Sequence, residues 1–216
     1  MYHPSCLRPR RFTQPAAAFA ATILVAALTA SLVAPVPARA ATPAKSAKTQ
    51  PAAEPEPNRE PDVIFVPTPQ EAVDKMLEMA QVKKGDVLYD LGCGDGRIVV
   101  TAAKKYGVRA TGVDIDPERI RDSQENVKAN KVEHLVTIKH ADIFELDFRD
   151  ATVVTLYLLP SLNVKLMPKL AALKPGTRIV SHDFDMQGAK PKEVVYVNAN
   201  GRDTPLYLWV VPWEKE

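Results

Sequence analysis

Val87-Leu88-Tyr89-Asp90-Leu91-Gly92-Cys93-Gly94-Asp95-Gly96-Arg97 is the stretch whose reading decides the fold. Residues of strand character lead into an aspartate. Three glycines follow at alternate positions, and Ile98 to Tyr106 then has helical character. Glycine has no Cβ and accepts positive φ, so a strand that stops at such a turn lets backbone approach a ligand closely. The helix behind the turn directs unpaired N–H groups at whatever sits there. Strand, glycine turn and helix make the opening unit of a nucleotide-binding α/β fold.

A second acid narrows the ligand. Thr111-Gly112-Val113-Asp114 ends a second strand, and Asp114 lies about twenty residues past the glycines, where a carboxylate can accept from both ribose hydroxyls. That suits a dinucleotide or S-adenosylmethionine (SAM), and two details favour SAM. The spacing is Gly-x-Gly-x-Gly, whereas dinucleotide sites use Gly-x-Gly-x-x-Gly. Asp90 also stands two residues before the first glycine, where it would repel a pyrophosphate. SAM has no phosphate, and its methionine end carries an ammonium and a sulfonium that an acid suits. Asp142 adds a further acid downstream.

Strands and helices alternate outward from this unit, which argues for a parallel sheet covered on both faces. Val87 to Tyr89, Ala110 to Val113, Val136 to Ile138, Ala151 to Leu158 and Thr177 to Ser181 are the expected strands. The fourth is nearly all apolar and β-branched, so it belongs at the centre. Upstream, Thr68 has the position of an N-cap, with Pro69 at the first helical residue and Glu71 completing a capping box. Val63 to Val66 reads as a short strand or an extended lead-in. Asp116-Pro117 starts a helix that runs to about Asn130. Ser161 to Leu173 is helical by period, with Pro168 expected to break or restart it. Glu193 to Val197 and Leu206 to Val211 pair as an antiparallel hairpin.

The chain resembles the class I SAM-dependent methyltransferases. The residues that carry the likeness are Asp90-Leu91-Gly92-Cys93-Gly94-Asp95-Gly96, Gly112-Val113-Asp114 and His140-Ala141-Asp142-Ile143, within roughly Pro67 to Pro212. A narrower likeness lies in Pro67-Thr68-Pro69-Gln70, Leu156-Tyr157-Leu158-Leu159-Pro160 and Lys174-Pro175-Gly176-Thr177-Arg178-Ile179-Val180-Ser181-His182. These segments are similar to the protein-lysine methyltransferases of mitochondrial inner-membrane proteins, including those acting on the ATP synthase c-subunit and the adenine nucleotide translocase. The resemblance implies an α/β, Rossmann-like, doubly wound and mostly parallel sheet closed by a C-terminal antiparallel hairpin. It implies SAM as cofactor, held by Asp90, Gly92, Gly94, Gly96, Asp114, Ile115, Asp142 and Ile143, with Thr68 and Gln70 folding over its methionine end.

Each assignment has an alternative. Asp142 is implied to meet the adenine amino group, but it could serve as a turn or N-cap aspartate. Tyr157 is a candidate for the acceptor channel; it could equally be a core tyrosine. Relatives that modify adenine or glutamine carry Asn/Asp-Pro-Pro-aromatic where this chain has Leu156-Tyr157-Leu158-Leu159-Pro160, so those acceptors lose ground. His182, with Ser181, Asp183 and Asp185, is a candidate base, against a cap or a local hydrogen-bond cluster. Cys93 reads as a small turn residue, and no Cys/His cluster has zinc spacing.

The chain has 216 residues, enough for one domain with a real core. Its net charge of +2 misleads, because Arg8, Arg10, Arg11 and Arg39 lie in a first segment that has no acids. Setting those four aside from the 28 basic residues leaves 24 against 26 acidic, a net of −2, which weighs against nucleic acid as a partner. Met1 to Arg11 is basic, Ala16 to Ala34 is uncharged, and Ala38-Arg39-Ala40 has the small residues of a cleavage site. Residues 1–40 thus read as a signal peptide, a membrane anchor or an organelle leader. Residues 41–61 read as a flexible linker and 62–216 as the methyltransferase domain. Export or anchoring is in tension with a cofactor made inside cells. The acceptor is a protein lysine or a small molecule, and a non-catalytic SAM-binding module is the alternative from another class.

Overall fold

A strand buried on both faces needs apolar side chains pointing both ways, and Val153-Val154-Thr155-Leu156 supplies them: all four residues are buried. They form the central strand of the computed structural model, which describes residues 60–216. The chain runs α1 (Gln70–Met79), β1 (Val87–Leu91), α2 (Arg97–Tyr106), β2 (Arg109–Asp114), α3 (Pro117–Ala129) and β3 (Val136–His140). It continues through β4 (Val153–Leu156), α4 (Pro160–Ala171), β5 (Arg178–His182), β6 (Glu193–Ala199) and β7 (Arg202–Val210). The readings of residues 1–40 and of most of 41–61 lie outside the described residues.

Seven strands form one sheet in the order β3-β2-β1-β4-β5-β7-β6. β1 to β5 are parallel, and β7 runs antiparallel to both β5 and β6. This is the expected Rossmann-like sheet with its closing hairpin. The hairpin turns at Asn200-Gly201, both at positive φ, as a two-residue turn of matching twist requires. One face of the sheet packs on α1 and α2 through Val73, Met76, Leu77, Val99 and Ala103, and Val127 of α3 joins them. The other face packs on Leu166 and Leu170 of α4 together with Leu146 and Phe148. Successive strands step outward from β1 to β3, and the chain then crosses back to β4. Such a reversal opens a crevice at the carboxyl ends of the neighbouring strands, here Leu91 and Leu156.

Two local expectations are corrected. Thr68 does not cap α1. Pro69 is the N-cap residue, with ψ 146° and no side-chain capping bond, and the helix starts at Gln70. Thr68 is instead buried, and its carbonyl accepts from Arg97 Nη1 at 2.9 Å. Pro168 does not break α4, which runs on to Ala171. Proline removes one backbone bond and crowds the preceding turn. Burial of Leu166 and Leu170 on either side, and the Lys169 ammonium donating to the Phe144 and Leu146 carbonyls at 2.6 and 2.8 Å, hold the helix across that defect.

Candidate active site

The crevice between β1 and β4 contains a cavity, and its lining brings together Thr68, Asp90, Gly92, Asp114, Ile115, Asp142, Ile143 and Tyr157. Gln70, Gly94, Gly96 and His182 are not on its wall. Gln70 is exposed and donates to Asp74 and Thr101, turned away along α1. Gly96 serves packing. It sits at φ 74° as the N-cap of α2, and a Cβ there would lie 3.0 Å from the Ser123 Cβ on α3. Gly94 lies beneath Phe65, and its N–H donates to Asp114 Oδ2 at 2.8 Å.

Five aspartates line the cavity, and three of them, Asp90, Asp114 and Asp142, sit in different environments. Asp90 is buried at 2% exposure; its Oδ1 accepts from the Thr155 hydroxyl at 2.7 Å, while Oδ2 has no hydrogen-bond partner. Burial raises its pKa, the Thr155 bond opposes, and the charges of Asp114 and Asp95 add to the rise, to about 7. Asp114 ends β2, and its two oxygens take the Gly94 and Asp116 N–H groups at 2.8 and 3.0 Å. Burial still raises its pKa against those bonds. Each carboxylate oxygen has a second lone pair, so Asp114 retains acceptor capacity. Asp142 is both a turn residue and a cavity residue: its Oδ1 accepts from the Phe144 N–H at 2.8 Å.

Another part of the wall is aromatic and aliphatic. Tyr157 follows β4, with Leu158 and Leu162 beside it on the wall. Its ring lies 4.1 Å from that of His182 and 6.1 Å from Phe184. His182 ends β5 at 3% exposure, and neither ring nitrogen has a hydrogen-bond partner. Burial lowers its pKa to about 4, with Asp183 and Arg202 acting in opposite directions, so the imidazole is neutral at physiological pH. The local hydrogen-bond cluster foreseen here exists but is built by Asn163, whose amide reaches Ser181 Oγ and the Phe184 and Asp185 carbonyls. Asp183 pairs with Arg202. His140 ends β3 with Nε2 3.0 Å from the Ile115 carbonyl.

Sequence reasoning missed Arg97, Arg119 and residues 61–66 on the cavity wall. Arg119 looks like an ordinary charge on a polar helix. The only signal for 61–66 was an apolar run between prolines with no partner assigned.

The residues suit SAM. Asp90, on the cavity wall, has a buried carboxylate oxygen without a partner that a cation can satisfy. The glycine turn has no side chains at Gly92, Gly94 and Gly96, although Phe65 covers Gly94, and acids replace the donors a phosphate would need. Residues 90–193 match the ANTKMT methyltransferase domain. A protein-lysine N-methyltransferase of Saccharolobus islandicus (strain REY15A) is 48% identical over 151 residues, spanning 69% of this chain and 94% of that protein. The chain belongs to the ANTKMT methyltransferase-domain family. The crystal structure of an RNA methyltransferase from Salinibacter ruber in complex with S-adenosyl-L-homocysteine (SAH) is 49% identical, with a TM-score of 0.65, covering 69% of this chain and 95% of that one. The ATP synthase c-subunit lysine N-methyltransferase of Homo sapiens is 28% identical over 141 residues, 65% of this chain and 58% of that protein. This family member is a SAM-dependent methyltransferase.

Proposed function

We propose that this methyltransferase modifies lysine side chains of protein. The observation that carries the reading is the uncharged wall of Tyr157, Leu158 and Leu162, backed by the His182 ring, in the same cavity as the acids, in a chain 48% identical to a protein-lysine enzyme. In this reading Asp90 receives the ammonium of the cofactor, Asp114 its ribose hydroxyls and Asp142 its adenine amino group, with Ile115 and Ile143 beside the ring. Thr68 closes the methionine end, and the Gly92 backbone borders it. Bound SAM supplies a methyl carbon already activated by a sulfonium.

The remaining task falls to the acceptor wall. A lysine must lose its proton before it can attack, which costs roughly 4.6 kcal/mol at neutral pH from a reference pKa near 10.4. Tyr157, Leu158 and Leu162 disfavour the ammonium by excluding water. A neutral His182 adds no like charge, and its unpartnered nitrogens offer an acceptor next to Tyr157. Alignment of the amine along the methyl–sulfur axis is the protein's main contribution.

A nucleic-acid acceptor is the second reading, favoured by the name of the Salinibacter ruber relative. The net acidic body of the chain opposes it. The test is methyl-labelled SAM with the full chain and separated protein, RNA and small-metabolite fractions, followed by amino-acid analysis. Methyl-lysine is the expected product. Label in RNA alone, or in metabolites alone, overturns the lysine reading. We further propose that residues 1–40 direct export or membrane anchoring. Recovery of a chain beginning at Ala41, or of an intact chain in the membrane fraction, would support it; an intact chain wholly in the soluble cytoplasm would not.

A further inference from the structure

Residues 61–66 belong to no helix or strand, yet all six line the same cavity as Asp90, Gly92 and Asp114. Phe65 makes the decisive contact. A Cβ built on Gly94 would fall 2.1 Å from Cε2 of Phe65 and 2.6 Å from its Cδ2. The ring therefore rests on the bare middle of the glycine turn, in space that any other residue there would fill. The Arg119 guanidinium also stands over the ring, 4.9 Å from its centroid, itself held by Asp122 at 2.9 Å. Arg97, paired with Asp95 at 2.6 Å, grips the Thr68 carbonyl and fixes where the segment joins α1. The neighbours Ile64 and Val66 are 86% and 51% exposed and take no part in this clasp.

The cavity is partly open to solvent and holds about 100 Å³, under the ~300–1,000 Å³ typical of sites for ligands of cofactor size. With the segment in this position a molecule as large as SAM does not fit wholly behind it. A cation–π contact at a part-exposed ring is weak, which suits a contact that must be broken in every cycle.

We propose that residues 61–66 are a strap that opens to admit and release the cofactor, with Phe65, clasped between the glycine turn and Arg119, as its latch. The proposal rests on the cofactor reading of the cavity. Its test is the rate of SAH binding and release by the full chain, measured by surface plasmon resonance. Phe65→Ala should raise both rate constants on the order of tenfold, because strap opening then ceases to limit exchange. Tyr196→Ser, at an exposed aromatic residue on β6 that is off the cavity wall, should leave both near wild type. Unchanged rate constants in Phe65→Ala overturn the strap while leaving cofactor binding intact. In the unaltered chain, amide hydrogen exchange at residues 62–66 should slow on SAH binding; exchange indifferent to SAH also overturns it. Failure of the unaltered chain to bind SAH at all defeats the cofactor reading, and the strap with it.

Discussion

On the β1–β2 side of the cavity, Asp90, Gly92 and Asp114 come from a single β–α–β unit, and both acids have hydrogen-bond partners within the protein. On the β4–β5 side, Tyr157 follows β4 and Leu162 lies in the first turn of α4, and the ring beside Tyr157, His182, has no hydrogen-bond partner. The first side concentrates negative charge in a buried place. The second is neutral and excludes water. Lining one cavity, the two sides would, in the proposed function, sort two amines in opposite ways. The ammonium of the cofactor would be held as a cation, whereas an acceptor amine would be pressed to give up its proton. The same burial that raises Asp90 to about 7 lowers His182 to about 4, so both groups are driven toward neutrality until a ligand reverses one of them.

The strongest way to break this contrast is to neutralise its acid side. Asp90→Asn keeps an acceptor for Thr155 but removes the buried charge. SAH affinity by calorimetry should fall on the order of 100- to 1,000-fold, as expected when one partner of a buried ion pair is lost. A loss below about threefold would mean that Oδ2 faces nothing charged. Next in size is Asp114→Ala. It removes the proposed ribose acceptor and should cost about 1.5–3 kcal/mol, roughly 10- to 150-fold. Because Asp114 also receives the Gly94 and Asp116 N–H groups, Asp114→Asn, which keeps an acceptor oxygen, should recover part of that loss. Equal losses in the two variants would assign Asp114 to charge alone.

The two sides also differed in how far they could be read from residues. The glycine turn is local, so Asp90, the glycines and Asp114 fall at spacings set by one strand, one turn and one helix. The sheet followed for the same reason: β-branched runs at regular intervals admit few other arrangements. The limits came from long-range contacts. Thr68 carries capping-box spacing, but Arg97, 29 residues on, takes its carbonyl and starts the helix later. Gln70 sits beside Thr68 in sequence, yet one step of helix turns it toward Asp74. Pro168 has the chemistry of a helix breaker, and distant burial overrides it. Arg119 and Phe65 reach the cavity only because α3 and the lead-in meet over the glycine turn, and no spacing rule spans that gap.

A pH series sharpens the acid side further. Without cofactor, Asp90 is mainly protonated below about pH 7. Binding a cation requires the carboxylate, so it releases up to one proton there. SAH affinity should rise with pH by as much as about tenfold per unit and level off above about 7. The stability of the cofactor-free protein runs the other way. The folded pKa lies above the unfolded value of 3.8, so the folded state holds the extra proton, and stability falls as pH rises from there to about 7. Titrations of SAH binding and of thermal midpoint across that window check both signs, and Asp90→Asn should flatten both curves.

The smallest expected effect lies on the acceptor wall and bears directly on whether that wall is dry. A buried ring with two unpartnered nitrogens lowers stability, by about 1–3 kcal/mol for each unsatisfied polar group. His182→Leu removes both nitrogens and roughly preserves volume, so the thermal midpoint should rise by roughly 2–4 °C per kcal/mol recovered. SAH affinity should stay near wild type, since His182 is not on the cavity wall. Turnover of a lysine acceptor should fall, because the neutral acceptor beside Tyr157 is gone. A rise in stability together with lost turnover marks a residue kept for chemistry at a cost to the fold. A fall in stability would show instead that water already satisfies the imidazole, and the contrast between a wet acid side and a dry aromatic side would not hold.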